Sequence, residues 1–497
     1  MASGHASAEG GVRTALPARI VTQLREILGR DGVLDRYEDL LVYEYDAYMD
    51  RALPQVVVRP TSGQQVAAVV QLAARERLAL TARGGASGLS GGVIPVQGGI
   101  MIDLNRMHGV LEVDTENGLA LVEPGLINLD LSTAVAPLGL YYAPDPSSQK
   151  TSTIGGNIAE NAGGPHCLSH GMTTNHVVGL EFVTRDGLLC TPGGKAPDDP
   201  GYDLVGLAVG SEGTFGIVTR AWVRLLTIAP LTVTFLAAYD TIEAAGAAVS
   251  AMVAAGVVPA ALELMDEPSI KALEDAFHVG YPPGAGAILL IDVEGLPEAV
   301  EEQEALVRRI CQETPGSLVV QYAGTQAERD KLWAARKGAL AACGRVAPNY
   351  YLCDGTVPRS KLADVLGTVR QIGLRYGVTV MTVAHIGDGN LHPIIAFDAL
   401  EEGIIPRVEA AHDELVEACV AAGGTITGEH GVGLEKRKYM PLIFTPEDLE
   451  RMALVRAAFN STGLFNPGKV LPEPGMIPAK VAIPIGVGRA VGPDVWV

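Results

Sequence analysis

Two histidines lie in a segment with the pattern of a β-hairpin, VTVMTVAHIGDGNLHPIIAF at 378–397. Runs rich in β-branched residues flank Asp388 and Gly389, and Asp-Gly is a strong signal for a two-residue hairpin turn. Pairing the strands about that turn sets His385 directly opposite His392, with their Cβ atoms about 5 Å apart on one face. Two imidazoles so placed can bind one cation. Two alternatives stay open: a packed histidine pair without metal, and a one-residue slip that sends the histidines to opposite faces.

A third ligand for such a cation is offered by GTITGEHGVG at 424–433, where Glu429 and His430 are adjacent. Adjacent side chains point in different directions, so one can bind a metal ion while the other faces a substrate. Two histidines and one glutamate leave coordination positions open, as in catalytic zinc sites. The sequence therefore predicts a divalent metal, zinc by preference, held by His385, His392 and Glu429.

Two glycine-rich stretches, RGGASGLSGG at 83–92 and TIGGNIAENAGG at 153–164, offer backbone amides without obstructing side chains. Loops of this kind let the backbone approach a phosphate closely. The chain contains no GxGxxG and no GxxxxGK[ST] sequence, so neither a Rossmann nor a P-loop nucleotide site is supported. The alternative is that both stretches are only tight turns. Two such stretches in one domain favour a pyrophosphate-bearing cofactor.

The segments around the first glycine loop predict an α/β unit. An apolar strand at 55–59 is followed by Ser62, a helix N-cap, and by a helix that places Val66, Val69, Val70 and Ala73 on one face. A second strand at 78–82 leads directly into the glycine loop. This order is typical of a ligand loop at a strand end.

The pattern changes after Pro230, which we take as a domain boundary. Strand-like runs such as 232–238 and 287–294 alternate with amphipathic helices such as 298–313. This alternation predicts an antiparallel sheet with helices, an α+β second domain. A helix-rich segment follows residue 433 and ends near 471.

Length and charge restrict the class of protein. A chain of 497 residues is too long for one hydrophobic core, so two or three domains are expected. The 37 Lys and Arg against 57 Asp and Glu give a net charge of −20, which repels nucleic-acid phosphate and anionic lipid. Nucleic acid is disfavoured as a partner, membrane contact would come through a partner protein, and an acidic substrate needs a local basic pocket.

Six cysteines are present and none forms a CxxC pair, which argues against an iron–sulfur site or a disulfide framework in this chain. The N-terminus lacks the apolar core of a signal peptide. The weakly apolar run 244–262 is interrupted by Gly256 and Pro259, which is typical of a helix followed by a strand and not of a membrane span. We expect a cytoplasmic protein.

Taken together, these motifs resemble the FAD-linked oxidases of the vanillyl-alcohol oxidase type. The likeness is to the FAD-binding catalytic subunits of bacterial glycolate oxidases, and D-lactate and D-2-hydroxyglutarate dehydrogenases are similar. It covers roughly residues 20–472 and is carried by RGGASGLSGG, YYAPDPSS, IGGNIAENAGG, GSEGTFGIV, HIGDGNLH, GEHGVG and NPGK.

The resemblance implies an α+β, two-domain FAD-binding fold. An FAD-binding domain would span 18–228 and a substrate cap domain with an antiparallel sheet and the metal site would span 229–433. A helical segment, 434–472, would return to the FAD domain. Residues 1–17 are expected to be disordered, and the tail 473–497 has no assigned role.

The resemblance also implies individual roles. His430 would be the catalytic base, Arg336 would face the substrate carboxylate, and Asn390 would lie near the substrate. The implied FAD-binding residues are Arg83, Gly84, Gly85, Ala86, Ser87, Gly88, Pro144, Asp145, Ser147, Ser148, Ser152, Gly155, Gly156, Asn157, Asn161, Gly163, Gly164, Glu212, Gly213, Ile217 and Asn466. Arg336 taken alone would be interpreted as a solvated residue on a helix surface.

The sequence departs from its relatives at two places. Relatives with covalent flavin carry a histidine where this chain has Ala86 and Ser87, so noncovalent FAD is expected. Relatives that act on dicarboxylates carry a lysine where this chain has Leu352, and the missing cation suits a short monocarboxylate.

The implied activity is oxidation of a small 2-hydroxy acid, glycolate first, to the 2-oxo acid, with hydride transfer to FAD. D-lactate dehydrogenase is the nearest alternative, and a noncatalytic flavin-binding subunit and a metal-dependent hydrolase are alternatives of other classes. An iron–sulfur subunit and a second FAD-type subunit, a quinone, or an electron-transfer flavoprotein would accept the electrons. Partner subunits would bring the protein to the periphery of the inner membrane.

Overall fold

The computed structural model of the chain describes residues 15–196, 200–473 and 476. The expected disorder of residues 1–17 concerns a segment that lies almost wholly outside the described residues. The tail from 473 onward also lies outside them, apart from residues 473 and 476.

The first half of the chain contains seven α-helices and eleven short strands within the described residues. The helices are α1 (Ala18–Leu28), α2 (Tyr37–Leu40), α3 (Gly63–Glu76), α4 (Asn128–Val135), α5 (Ile154–Glu160), α6 (Cys167–His170) and α7 (Leu204–Ala208). The strands are β1 (Val33–Leu34), β2 (Val56–Val58), β3 (Leu80–Arg83), β4 (Ile100–Asp103), β5 (Val110–Asp114), β6 (Leu119–Val122), β7 (Leu140–Tyr141), β8 (Val177–Val183), β9 (Leu189–Cys190), β10 (Ile217–Arg224) and β11 (Leu226–Thr227).

The predicted α/β unit is present in the first of these sheets. Strands β2 and β3 both pair with β4 in parallel, and β1 adds an antiparallel edge, which gives the order β1-β2-β4-β3. Ser62 caps α3 by accepting a hydrogen bond from the Gln65 amide. The predicted apolar face of α3 is buried, so the helix packs on the sheet and fixes where β3 ends in the glycine loop.

A second sheet in this half is antiparallel, in the order β5-β6-β10-β8-β9. Residues of β10 alternate between buried and exposed, as expected of a strand that covers the core with one face only. A two-stranded sheet pairs β7 with β11.

The second half contains eight helices and eight strands within the described residues. The helices are α8 (Ile242–Ala254), α9 (Glu267–Phe277), α10 (Pro297–Glu313), α11 (Gln326–Lys337), α12 (Ala339–Ala342), α13 (Leu362–Tyr376), α14 (Ile404–Ala421) and α15 (Pro446–Asn460). The strands are β12 (Leu231–Tyr239), β13 (Ala261–Asp266), β14 (Ala287–Gly295), β15 (Ser317–Ala323), β16 (Asn349–Leu352), β17 (Gly355–Thr356), β18 (Thr379–His385) and β19 (Asn390–Phe397).

These strands form one antiparallel sheet in the order β15-β12-β14-β13-β18-β19-β16, with β17 beside β19. Both faces of the sheet are covered. In β12, Phe235 and Ala237 belong to a core shared with α8, α10, α13 and α14, whereas Leu236 and Ala238 belong to a core shared with α9 and α12. Because side chains alternate along a strand, each strand contributes to both cores. The predicted antiparallel α+β domain is confirmed.

The predicted register of the histidine hairpin is wrong. His385 lies opposite Asn390 and not opposite His392, whose partner is Val383, so the connecting loop has four residues, 386–389, instead of two. The shift is two positions, which preserves the face on which each side chain lies. His385 and His392 are therefore diagonal neighbours on one face, with ring centroids 5.0 Å apart.

The C-terminal segment returns to the first half of the chain. After α15, Phe465 joins the core of the parallel sheet and forms a parallel bridge with Leu80. The Asn466 amide donates to the Leu80 carbonyl, and its side chain donates to the carbonyls of Gly92 and Glu212. Among the described residues, no helix combines the length and apolar character that crossing a membrane requires.

Candidate active site

A cavity of about 590 Å³ lies between the glycine-rich loops of the first half and the sheet of the second half. Its volume lies in the range of ligand and cofactor sites. Both sequence motifs that suggested chemistry contribute to it, the glycine loop from one side and the Glu429–His430 pair from the other.

Most of the residues implied to bind FAD line this cavity. They are Arg83, Gly84, Gly85, Ala86, Ser87, Gly88, Ser147, Ser148, Ser152, Gly155, Gly156, Asn157, Glu212, Gly213 and Asn466. A Cβ atom added at Gly88 would meet no other atom within 4 Å, so the backbone there is open to a ligand. The buried hydroxyl of Ser152 has no hydrogen-bond partner among the described residues, so it is free to contact a bound molecule.

Six implied FAD-binding residues do not line the cavity: Pro144, Asp145, Asn161, Gly163, Gly164 and Ile217. Asp145 instead contacts Lys337 and His166, each at 3.0 Å. Burial opposes its charge, but these two cationic neighbours dominate and hold the pKa of Asp145 well below its ordinary value. Since Lys337 belongs to α11, this ion pair joins the two domains beside the cavity.

The three predicted metal ligands converge on one another. The Glu429 Oε1 atom lies 3.1 Å from Nε2 of His385 and 3.2 Å from Nε2 of His392. All three residues offer ligand atoms within 4.8 Å of one another. Burial opposes the charge of Glu429, but the two histidines outweigh it and lower its pKa well below the ordinary value, so it remains a carboxylate.

Glu263 orients one of these histidines from the neighbouring strand. It lies opposite His385 in the β13–β18 pair, and its Oε1 atom is 2.7 Å from Nδ1 of His385. A carboxylate on one ring nitrogen leaves the other nitrogen free for a metal, an arrangement common around histidine ligands. Burial disfavours an imidazolium here, but Glu263 and Glu429 raise the pKa of His385 well above its ordinary value.

Arg336 is buried, with 3% of its surface exposed, and not on a solvated helix surface. Its Nη2 atom lies 2.5 Å from Oε2 of Glu263, which makes a buried ion pair between α11 and β13. Arg336 lines the cavity. A guanidinium has five N–H donors, and one carboxylate engages only some of them, so Arg336 is suited to bind a second anion that enters from the cavity.

The loop carrying Glu429 and His430 is held by a buried carboxylate that the sequence did not reveal. The Asp354 Oδ2 atom accepts hydrogen bonds from the amides of Gly428 at 3.0 Å and His430 at 2.9 Å, and from the Thr427 hydroxyl at 2.7 Å. Lys436 also donates to it at 3.0 Å. Burial opposes the charge of Asp354, but His430, Lys436 and His392 keep its pKa well below the ordinary value.

The same loop is held from the other domain by Glu212. Its two carboxylate oxygens accept from the amides of Val432 at 2.7 Å and Gly433 at 2.6 Å. Glu212, which the resemblance implies as an FAD-binding residue, therefore holds the loop that follows His430 through its side chain. It also lines the cavity.

His430 stacks on His392, with ring centroids 5.0 Å apart and an interplanar angle of 13°. Its Nδ1 atom lies 3.7 Å from Asp354 and its Nε2 atom lies 3.9 Å from Glu429. Burial lowers the pKa of His430 to about 4, so the ring is neutral near neutral pH and can accept a proton. Asn390 is buried against Gly428 and does not line the cavity.

Sequence reasoning missed Glu263, Asp354, Glu160 and Lys337. One signal was available for Glu263: it interrupts the apolar run of AALELM, where a charged residue in a buried strand needs a partner. Glu160 lies within IGGNIAENAGG, a motif that was considered only for its backbone approach to a phosphate.

The donor set fits both groups that the sequence implies. The open backbone at Gly88 and the Ser152 hydroxyl, which has no hydrogen-bond partner among the described residues, suit FAD. Two imidazole nitrogens with a carboxylate oxygen suit a divalent metal such as zinc. The Nδ1 atom of His392 has no hydrogen-bond partner among the described residues and lies 3.7 Å from Asp354.

Two family models match the chain, "FAD binding domain" over residues 54–192 and "FAD linked oxidases, C-terminal domain" over residues 229–470. Glycolate oxidase subunit GlcD of Escherichia coli (strain K12) is 42% identical over 91% of each chain. The probable mitochondrial D-lactate dehydrogenase of Danio rerio is 30% identical over 92% of this chain and 93% of its own length. The structure of 4-ethylphenol oxidase from Gulosibacter chungangensis superposes with a TM-score of 0.76 at 19% identity, covering 92% of this chain and 97% of that one.

From the contacts of Asp354 we predict how its substitution changes the free energy of unfolding. Asp354→Asn leaves the buried Lys436 ammonium without a counter-charge, which should lower the free energy of unfolding by about 3–5 kcal/mol. Asp354→Asn combined with Lys436→Met should recover part of that loss because no buried charge is then unpaired. Urea unfolding of the FAD-loaded protein measures both.

Glu304→Gln is the matched control, because Glu304 pairs with Arg308 on the surface of α10 and the change should cost less than about 1 kcal/mol. If Asp354→Asn were no more destabilising than this control, the carboxylate would not hold the loop.

Proposed function

This chain belongs to the FAD-linked oxidases of the vanillyl-alcohol oxidase type, and from that membership and its site we propose that it oxidises a small 2-hydroxy acid, most readily glycolate. The observation that carries the proposal is the buried guanidinium of Arg336, which lines the same cavity as His392, Glu429 and His430. Oxidation of a 2-hydroxy acid requires a cation for the carboxylate, which the guanidinium provides. It also requires a base and a Lewis acid for the hydroxyl, which the histidine and the metal-type donor set would provide.

Arg336 binds the substrate carboxylate in this proposal. The net charge of −20 repels anions in general, so a local cation is needed to attract an acid. Of the other cations lining the cavity, Lys337 is paired with Asp145, and Arg83 donates to the carbonyls of Tyr45 and Val42. Arg336 is paired with Glu263, but its guanidinium has five N–H donors and can bind a second carboxylate from the cavity.

His430 takes the hydroxyl proton. Its ring stacks on His392 and lines the cavity, and Asp354 and Glu212 hold the loop on both sides of it. A positioned neutral imidazole of this kind serves as a general base. The α-hydrogen leaves with its electron pair, and the product is a 2-oxo acid.

His385, His392 and Glu429 would hold a divalent metal, zinc by preference, and the cavity lined by residues 83–88, Ser152 and 155–157 would hold FAD. When bound, the metal supplies a Lewis acid beside the hydroxyl, and FAD supplies the acceptor for two electrons. FAD would be noncovalent, because Ala86 and Ser87 stand where relatives with covalent flavin carry a histidine. The side chain of Asn390 packs closely against Gly428 and would support the loop that carries Glu429.

The cavity wall near these groups favours a short monocarboxylate. Tyr350, Leu352, Val383 and Ile394 line it, and they belong to the sheet face that also carries His392. An apolar wall leaves a second carboxylate without a partner, which costs free energy. D-lactate is the second candidate, because its methyl group suits this wall and a D-lactate dehydrogenase is among the relatives.

Reduced FAD must pass its electrons on. GlcD is by its name a subunit, which supports assembly of this chain with partner subunits, an iron–sulfur subunit and a second FAD-type subunit in the first instance. A quinone or an electron-transfer flavoprotein is the alternative acceptor.

We propose that the protein is cytoplasmic and reaches the inner membrane only through those partners. We also propose that the chain divides into an FAD-binding domain at 18–228, a cap domain at 229–433 and a segment at 434–472 that returns to the FAD-binding domain.

Substitution of the base should separate chemistry from cofactor binding. His430→Ala should lower kcat with glycolate by about 10²–10⁴-fold, because the hydroxyl proton loses its acceptor. The FAD content, read from the visible absorbance per chain, should stay unchanged. His108→Ala, which alters an exposed histidine of the same domain as the glycine loops, is the control and should leave kcat unchanged. Near-normal turnover by His430→Ala would remove the assigned role.

The amount of bound metal per chain should depend on the two hairpin histidines, His385 and His392. We expect one divalent ion per chain by elemental analysis, and His385→Gln or His392→Gln should lower that content while FAD absorbance is retained. Dialysis against a chelator should abolish glycolate oxidation, and added zinc or another divalent ion should restore it. Full activity in protein shown to contain no metal would exclude a catalytic ion at this cluster.

A further inference from the structure

A carboxyl group to which no step of the proposed reaction assigns a role, that of Glu160, lines the cavity at the end of α5. It lies between two backbone segments. A Cβ atom at Gly92 would stand 2.8 Å from Oε1, and one at Gly431 would collide with Oε2. Since Gly431 follows His430 directly, Glu160 lies at the end of the cavity where the proposed base is found.

Glu160 lies close to a second carboxyl, and the two differ in their hydrogen bonds. A Cβ atom at Gly431 would also stand 3.0 Å from Oε1 of Glu212. Glu212 accepts from the amides of Val432 and Gly433, which stabilise a negative charge. The Oε2 atom of Glu160 is buried and has no hydrogen-bond partner among the described residues.

The nearby cations are already engaged. Lys436 donates to Asp354 and Thr427, and Lys469 donates to the Ile94 carbonyl and to Asn466. Neither ammonium forms an ion pair with Glu160 among the contacts of the described residues.

The charged groups around Glu160 favour a protonated carboxyl. Burial, followed by the neighbouring carboxyls of Glu212 and Asp46, raises the pKa of Glu160 well above its ordinary value, and the charges of Lys436 and Lys469 only partly oppose this. Two close carboxyls cannot both ionise at low cost, so the one without donors retains the proton.

We propose that Glu160 is a protonated acid of the cavity wall and donates a hydrogen bond to the redox-active ring of bound FAD. A protonated carboxyl is a donor, whereas a carboxylate only accepts. The ring gains negative charge when it is reduced, and a fixed donor beside that charge stabilises it. Glu160 therefore raises the reduction potential of the bound cofactor.

The experiment is a reduction titration of FAD bound to the full chain, performed chemically near neutral pH and without any hydroxy acid. The reading is the midpoint potential, so the result is independent of which substrate the protein oxidises. Glu160→Ala removes the donor and should shift the potential downward. Glu160→Gln keeps an N–H donor in the same place and should shift it much less. Glu181→Gln, a carboxyl of β8 that accepts from Thr219 outside the cavity, is the matched control and should leave the potential unchanged.

An infrared difference spectrum of wild type against Glu160→Gln should also show the carbonyl stretch of a protonated acid, present only in the wild type. If Glu160 were instead ionised, both substitutions would remove a negative charge from beside the ring and would raise the potential. An upward shift in both variants, or no shift in Glu160→Ala with FAD normally bound, would overturn the proposal.

Discussion

One buried carboxylate organises the reactive part of this molecule. Asp354 gathers the amides of Gly428 and His430 and the ammonium of Lys436. An aspartate without solvent contact is tolerated only because these donors replace the water it has lost. By fixing the backbone at two points around Glu429, it sends two adjacent side chains in different directions. Glu429 reaches the histidines of the sheet, and His430 reaches the cavity.

The site is complete only where the two domains meet. The second domain provides Arg336, His385, His392 and Glu429, and the first provides the glycine loops. Glu212 crosses the boundary to hold Val432 and Gly433, and the Asp145–Lys337 pair crosses it on another side of the cavity. This arrangement lets a strongly acidic protein present a cation to an anionic ligand. The charge of Arg336 is compensated by Glu263, and its guanidinium also lines the cavity.

The sequence predicted those parts of the molecule whose signals are local. Ser62 as a cap and the buried apolar face of α3 each depend on a few neighbouring residues. The hairpin register was wrong by two positions because Gly387 and Ile386 joined the turn, yet the face of each histidine was right since strands repeat every two residues.

Long-range pairings were not accessible in the same way. Glu263 meets His385 across 122 positions, and Asp354 meets His430 across 76, so no local pattern announces either contact. The burial of Arg336 was missed for a related reason: α11 is a polar helix, and which side it turns to the sheet depends on α9, α12 and β13. Only the resemblance to a family placed that residue in the site.

The most direct measurement is the visible spectrum of the purified, FAD-loaded protein under anaerobic conditions, before and after addition of glycolate, D-lactate or a 2-hydroxy dicarboxylate. Glycolate should bleach the flavin band, D-lactate should do so at a comparable or lower rate, and the dicarboxylate should do so far more slowly. A flavin band unchanged by any of these acids would contradict the proposed oxidation of a 2-hydroxy acid.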